Sequence, residues 1–160
     1  MKASILIFSQ TGNTLKAGVS IAKGLRSGGF EVDQVDFLRR NRWKPDNADI
    51  IGIGCPVFEN RPAEVVPKYF TDSGFNFTGK HAFVFITSAG SPAKSLWHLS
   101  QVAAQTGASV IGGIQLRGTC SFPTLFGLFP GRPNEKDLEQ AENFGRAIAA
   151  NLINGESFFS

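Results

Sequence analysis

Cysteine and histidine are scarce in this chain, which has two of each among its 160 residues. Cys55 and Cys120 are too few for a disulfide framework, for a zinc site or for the thiolates that hold an iron–sulfur cluster. No apolar run is long enough to cross a membrane, and the segment from Lys2 to Phe8 is too short for a signal peptide. We therefore expect a cytoplasmic protein without a membrane span.

An excess of either charge is also lacking, because 16 basic and 13 acidic residues leave a net charge of +3. Arg39, Arg40, Arg42 and Lys44 form the densest basic segment, and Trp43 is the aromatic residue within it. Proteins that bind nucleic acids typically have more basic residues, interleaved with aromatic ones. We expect no nucleic acid partner and interpret this segment as a solvated surface, with docking of a partner protein as the alternative.

Apolar segments alternate with helical patterns along the whole chain. The predicted strands are Lys2–Phe8, Phe30–Phe37, Asp49–Gly54, His81–Thr87 and Ala108–Leu116, and the predicted helices are Thr14–Ser27, Ala63–Thr71, Ala93–Thr106 and Asn134–Ile153. Asn134 is expected to cap the last helix, with Asp137 as its partner. This alternation predicts a single α/β domain over residues 1–160, with a parallel sheet between helices on both faces.

The segment Ser9–Thr14 lies between an apolar strand and an amphipathic helix. The first N–H groups of a helix have no partner within it, and together with the helix dipole they form an anion site. Gly12 permits a tight turn, and the segment carries hydroxyl and amide groups but no Lys or Arg. The pattern predicts a neutral site that holds a phosphate group without reacting with it. An ordinary capped turn is the alternative.

Four segments, in order along the chain, resemble motifs of the flavodoxin-like FMN proteins. Ser9–Thr14 resembles the phosphate loop of that family. Gly54–Pro62 resembles its flavin loop after the third strand, with the Pro-Val-aromatic start of the flavodoxin domains fused to ferredoxins in anaerobes. Phe77–Lys80 resembles the lead into strand four, and Thr87–Ser91 the second flavin loop. The resemblance implies a flavodoxin-like three-layer fold, whose five-stranded parallel sheet has the order 2-1-3-4-5, and one bound FMN.

The resemblance also implies which residues hold the cofactor. They are Ser9, Gln10, Thr11, Gly12, Asn13 and Thr14 at the phosphate, Pro56, Val57, Phe58, Glu59 and Asn60 at the ring, and Ser88, Ala89, Gly90 and Ser91 at its pyrimidine edge. Phe58 is expected to stack on the ring, with a core or surface role as its alternative. In relatives a backbone carbonyl turns toward flavin N5 on reduction. Here we expect the Glu59–Asn60 peptide to do so, with Asn60 in place of the usual glycine.

The function that the resemblance implies is electron transfer through the quinone, semiquinone and hydroquinone states of FMN. A redox partner protein, ferredoxin-like or a reductase, is implied with it, and no catalytic or metal-binding residue is expected. One alternative is a flavin-dependent reductase or oxidase of a quinone or porphyrinogen, and another is a module that binds no flavin. Flavodoxins that dock with partners are generally acidic. For this slightly basic chain we expect a less negative potential and an acidic partner.

The segment Gly118–Pro133 is rich in Phe and Pro and too apolar for a loop that only connects two elements. We expect it to fold over the flavin or to form a docking patch for the partner.

Cys55 belongs to a competing motif. The spacing from Cys55 to Arg61 after a strand matches the loop of low-molecular-weight tyrosine phosphatases, in which a thiolate attacks phosphorus. Pro56 lacks an N–H where that loop needs a donor. We therefore interpret Cys55 as a small buried apolar residue and keep the phosphatase as a minor alternative.

Overall fold

Strands and helices alternate along residues 1–119 and 131–155, which are the residues that this computed structural model describes. The strands are β1 (Lys2–Ile7), β2 (Glu31–Asp36), β3 (Ile50–Phe58), β4 (Arg61–Pro62), β5 (His81–Ser88) and β6 (Ser109–Arg117). The helices are α1 (Asn13–Ser27), α2 (Val65–Ser73), α3 (Ser95–Gln105) and α4 (Glu135–Asn154), with 3₁₀ helices at Phe37–Arg42 and Pro45–Asn47. Every predicted strand and helix is present, and the largest boundary difference is at β3.

The five long strands form one parallel sheet in the order β2-β1-β3-β5-β6. With these strands numbered along the chain, the order is the predicted 2-1-3-4-5. The flavodoxin-like fold class is therefore confirmed. The prediction of five strands needs a correction, because a two-residue strand, β4, adds to the edge of β3 as an antiparallel sixth strand in the described part of the chain.

A tight hairpin joins β3 to β4, where the sequence predicted a loop from Cys55 to Pro62. Phe58 lies opposite Arg61, which leaves Glu59 and Asn60 as the two residues of the turn. Both have positive φ, at 49° and 63°, as in a type I′ turn, whose twist matches that of the paired strands. Asn often adopts a positive φ, but Glu rarely does, so that Glu59 gives no signal for this turn in the sequence. The chain therefore continues as a strand through residues that were predicted to be irregular.

The helices cover the two faces of the sheet in pairs. Ile21 and Leu25 of α1 share one apolar core with Ile148 of α4, and α2 and α3 cover the opposite face with residues such as Phe70 and Leu99. The central strands of the sheet are thus shielded from water on both sides, and the connecting loops lie at its two ends. A ligand site is expected at such an end, where loops from several strands meet.

Trp43 belongs to the core and not to the basic surface around it. Its ring packs edge-on against Phe70, Phe75 and Phe77, and its Nε1–H donates to Ser4 Oγ at 2.7 Å. The buried ring divides the basic segment in two. Lys44, beyond it, lines a depression beside the amino-terminal part of β1.

The start of α4 is capped as the sequence predicted. Asn134 Oδ1 accepts a hydrogen bond from the Asp137 amide at 3.0 Å, and the Asp137 carboxylate accepts one from the Asn134 amide at 2.8 Å. That carboxylate also accepts two hydrogen bonds from the Arg132 guanidinium. The Arg132 carbonyl in turn accepts the Thr119 amide at 2.9 Å. The chain that leaves β6 is thereby tied to the start of α4.

Asp137 makes stability depend on pH. The Arg132 guanidinium holds the pKa of the Asp137 carboxyl below its usual value. The folded chain therefore binds this proton less readily than the unfolded chain. The stabilisation is complete above the unfolded pKa of about 4 and is lost as pH falls through the lower folded pKa. We expect Asp137→Asn to lower the free energy of unfolding by about 1–2 kcal/mol at neutral pH and to reduce the acid dependence.

Urea unfolding at a series of pH values checks this prediction. Glu139→Gln is the matched control, because Glu139 is an exposed carboxylate on the same helix. The control variant should keep the steep loss of stability below about pH 4. Identical pH profiles for the two variants would show that Asp137 is not responsible.

Candidate functional site

A cleft opens at the carboxyl ends of the strands, where the strand order reverses between β1 and β3. It is lined by Ser9, Gln10, Thr11, Asn13, Thr14, Pro56, Val57, Phe58, Thr87, Ser88, Ala89, Gly118 and Thr119. The turns after β1, β3, β5 and β6 therefore all contribute to one site.

Ten of the fifteen residues expected from the sequence line this cleft. Gly12 does not line it, although it lies in the turn between two residues that do. Glu59 and Asn60 are exposed on the hairpin, and Gly90 and Ser91 are exposed beyond the end of β5. Those four residues are at the rim and not in the wall of the cleft.

The turn after β1 gathers backbone donors around a small space. Gly12 has a φ of 89°, which a residue with a side chain rarely adopts. Ser9 Oγ accepts the amides of Gly12 at 3.1 Å and of Leu15 at 3.2 Å. The amides of Gln10, Thr11, Asn13 and Thr14 have no acceptor among the described residues. The first turn of α1 carries no acidic residue. The segment can therefore bind an anion through several neutral N–H groups.

Two long-range hydrogen bonds fix this turn against the rest of the fold. Thr14 Oγ1 and Thr87 Oγ1 lie 2.7 Å apart, and both residues are buried. Asn13 Nδ2 donates to the Thr119 carbonyl at 3.2 Å. The start of α1 is thus held to the ends of β5 and β6, which limits its movement.

Thr87, Gly118 and Thr119 line the cleft but were not among the expected site residues. Thr87 had a signal in the sequence, because it is a hydroxyl residue near the end of an otherwise apolar strand. Gly118 and Thr119 also had one, because they begin the segment Gly118–Pro133, which was expected to fold over the flavin or to form a docking patch.

Phe58 forms the wall between the cleft and a wider groove. The groove runs between the hairpin and α3 and includes Arg61, His98 and Gln101. Phe58 is half-buried, so that one part of its ring is available to a ligand. Glu59, next to it, is held at a positive φ of 49°, which costs about 1–2 kcal/mol for a residue with a side chain. Strain at the rim of a cleft suggests a functional role for the hairpin.

The turn after β5 is fixed by Arg117 at the end of β6. Its Nη1 donates to the Gly90 carbonyl at 2.7 Å and to the Ala89 carbonyl at 3.3 Å. Carbonyl groups of this turn are thus oriented by a cation, and the turn keeps a fixed shape beside the cleft.

Cys55 takes no part in the site. It is fully buried within β3, and this burial raises the pKa of its thiol to about 12. Because the thiol stays protonated near neutral pH, it is not a nucleophile. The interpretation as a buried apolar residue is confirmed, and the phosphatase alternative is wrong.

Two further observations concern metal binding and the segment Gly118–Pro133. Within residues 1–119 and 131–155, no group of His, Cys, Asp and Glu is arranged to hold a metal ion. Most of the segment Gly118–Pro133, for which a lid or docking role was expected, lies outside the described residues, at positions 120–130. Its two ends, near Thr119 and Arg132, are joined by hydrogen bonds.

Comparisons with known proteins identify several relatives. The chain is 30% identical over 110 residues to the flavodoxin of Megasphaera elsdenii, which covers 68% of this chain and 80% of that protein. It is 29% identical over 160 residues to an uncharacterised protein of Methanocaldococcus jannaschii, covering 94% of this chain and 100% of the relative. The structure of a flavodoxin from the Archaea superimposes with a TM-score of 0.74 at 21% identity, covering 96% and 99% of the two chains. No protein-family model matches the chain.

Proposed function

This chain belongs to the flavodoxin family, and from that premise we propose that it binds FMN in the cleft and carries electrons between redox partner proteins. The main support for this proposal is that one cleft is lined by amides without acceptors at the start of α1 and by the turns after β3 and β5. FMN has a phosphate at one end and a flat ring at the other. The cleft offers a polar turn for the first and Phe58 for the second.

The phosphate would be held by the turn after β1. The amides of Thr11, Asn13 and Thr14 are donors without partners among the described residues, and the hydroxyl groups of Ser9 and Thr11 lie in the same turn. The absence of acidic residues from the first turn of α1 supports a dianionic ligand there. Gly12 permits the shape of this turn, because its φ of 89° is one that residues with a side chain rarely adopt.

The ring would lie between Phe58 and the turn that contains Ser88 and Ala89. When bound, FMN supplies one- and two-electron redox chemistry. The Glu59–Asn60 peptide would follow the redox state by reversing its orientation, which converts a type I′ turn into type II′. Glu59 keeps a positive φ in both turn types, whereas Asn60 changes sign. The conformational cost at Glu59 is therefore common to both states.

Titration of the purified chain with FMN tests the proposal. We expect one FMN to bind per chain and to give the yellow absorption of a bound flavin. Dithionite should then reduce this bound flavin. Failure of the chain to take up FMN, measured by calorimetry and by the visible spectrum after dialysis, would contradict the proposal.

A second candidate is a flavin-dependent reductase or oxidase of a small molecule. The groove next to Phe58 favours it, because a substrate there would lie beside the proposed ring position. Oxidation of a nicotinamide or reduction of a quinone by the FMN-loaded protein alone would support this enzyme. Electron transfer that requires a partner protein would support the carrier.

We further propose that residues 1–160 act as a single domain in the cytoplasm. In the part of the chain that the structure describes, none of the helices combines the length and apolar character needed to span a bilayer. Fractionation of the native host cells tests the location, which we expect to be the soluble fraction.

A further inference from the structure

We propose that a basic surface beside the cleft, formed by Arg39, Arg40 and Arg42, docks an acidic redox partner protein. This inference rests on the proposed electron-carrier function and names the chemistry of the partner. Its basis is the position of these residues, the absence of neutralising partners and the burial of the aromatic ring beside them.

The basic surface begins at the same end of the sheet as the cleft. Its residues belong to the 3₁₀ helix Phe37–Arg42, which begins directly after the carboxyl end of β2. The ring of Phe37 packs edge-on against Phe8, with 5.5 Å between centroids, and Phe8 directly precedes the turn that starts at Ser9. A partner seated on this helix would therefore be next to the proposed phosphate turn.

The charges of this surface are available to a partner. Arg39 and Arg42 are exposed, and neither forms an ion pair with a carboxylate among the described residues. The nearest acidic residue along the chain, Asp36, uses its carboxylate to accept the Leu38 amide at 2.8 Å. Uncompensated arginines attract a surface of opposite charge.

Arg40 gives the surface a fixed geometry. Its guanidinium lies 4.7 Å from the centroid of the Phe37 ring and 5.5 Å from that of Tyr69, and its Nη1 donates to the Phe37 carbonyl at 3.2 Å. Such stacking on aromatic rings holds the cation in place. Arg40 is therefore a structural member of the surface, and Arg39 and Arg42 are the residues to change in a test.

The structure favours a protein over a nucleic acid as the occupant. Surfaces that bind single-stranded nucleic acids combine cations with exposed aromatic rings on which bases stack. Trp43, the aromatic residue of this segment, is only 5% exposed and donates its indole N–H to Ser4. Trp43 therefore offers no stacking platform, and the half-buried Tyr69 ring is already in contact with the Arg40 guanidinium. This suits an acidic protein.

The test uses the FMN-loaded protein and a reduced, acidic plant-type ferredoxin as the electron donor. Stopped-flow kinetics give the second-order rate of flavin reduction at ionic strengths of about 10 mM and about 300 mM, because screening separates these two conditions. We expect the rate to fall with added salt. The variant Arg39→Glu/Arg42→Glu should lower the rate at least about tenfold at low salt. It should also speed electron transfer to a basic c-type cytochrome.

The matched control is Arg26→Glu/Lys44→Glu, which makes the same change in net charge. Arg26 is in the last turn of α1, and Lys44 lies beside the amino-terminal part of β1, both away from the cleft. This control should keep most of the rate with ferredoxin. If this control lost as much of the rate as the Arg39 and Arg42 variant, the net charge of the protein and not this surface would set the rate. That result would overturn the proposal.

The outcomes separate this inference from the proposed function. If the protein takes up no FMN, the proposed function fails. If FMN binds and dithionite reduces it normally, but the Arg39 and Arg42 variant reacts with ferredoxin like the unchanged protein, only the docking proposal fails. Binding of a single-stranded oligonucleotide that is stronger than binding of ferredoxin, and is lost in the same variant, would also overturn it.

Discussion

Replacing Thr11 by Asp lowers the affinity for FMN by at least about 100-fold and leaves the affinity for riboflavin unchanged. Thr11 is exposed in the turn after β1, among amides that have no acceptor in the described part of the chain. A carboxylate at this position would accept those amides itself and would repel the FMN phosphate, at a cost of about 3 kcal/mol. Riboflavin has no phosphate, so its affinity should not change. Calorimetric titration with both flavins measures the effect.

The control for this prediction is Asn76→Asp, which adds the same charge to an exposed turn away from the cleft. It should bind FMN as tightly as the unchanged chain. An equal loss of FMN and riboflavin affinity in the Thr11 variant would mean that the turn shapes the whole cleft and does not select the phosphate.

A single methyl group at Gly145 lowers the free energy of unfolding by about 3 kcal/mol or more. Gly145 of α4 faces α1, and a Cβ there would lie 2.2 Å from the Ile21 carbonyl oxygen and 3.1 Å from the Leu25 amide. Gly24 of α1 is just as close to α4, because its Cβ would lie 2.0 Å from the Glu142 carbonyl oxygen. The neighbouring atoms belong to backbone, so that the helices must move apart to accept Gly145→Ala.

Chemical denaturation of Gly145→Ala measures this loss of stability, and Gly90→Ala is the matched control. A Cβ at Gly90 meets nothing within 4 Å, and its φ is not positive. The control should change stability by no more than about 0.5 kcal/mol. A small effect at both positions would mean that α1 and α4 do not need this close contact. Ala is normally about 1 kcal/mol better than Gly in a helix, which makes a large loss at Gly145 specific to the contact.

Much of the fold could be predicted because its central strands are covered on both faces. Segments such as Ile50–Ile53 and Phe83–Ile86 are almost entirely apolar, which marks them as buried strands of a parallel sheet. The capping pair Asn134 and Asp137 likewise marks the start of α4. Both are local signals, and for both the structure agrees with the sequence.

The hairpin between β3 and β4 could not be predicted in the same way. Its turn needs two residues with positive φ, a conformation that usually indicates Gly, Asn or Asp. Glu59 has none of the local features that favour it, and the pairing of β4 with β3 supplies the reason for its conformation. Sequence patterns report intrinsic preference, and here tertiary pairing overrides it.

The remaining site residues depend on contacts between distant parts of the chain. Thr14 meets Thr87 across 73 positions, and Asn13 meets Thr119 across 106. Trp43 shows the same limit, because only the fold reveals that its ring is buried and separates Lys44 from the three arginines. A linear motif identifies the turn that starts at Ser9, but the fold decides which residues complete its cleft.

An NMR titration of the amide groups in the turn after β1 tests most directly whether this turn holds the FMN phosphate. We expect FMN to shift the backbone amide signals of Thr11, Asn13 and Thr14 strongly downfield, as charge-assisted hydrogen bonds to the phosphate form. Riboflavin should leave these signals nearly unchanged. If saturating FMN binds while these amide signals stay where they are, the turn does not hold the phosphate and the proposed FMN site is wrong.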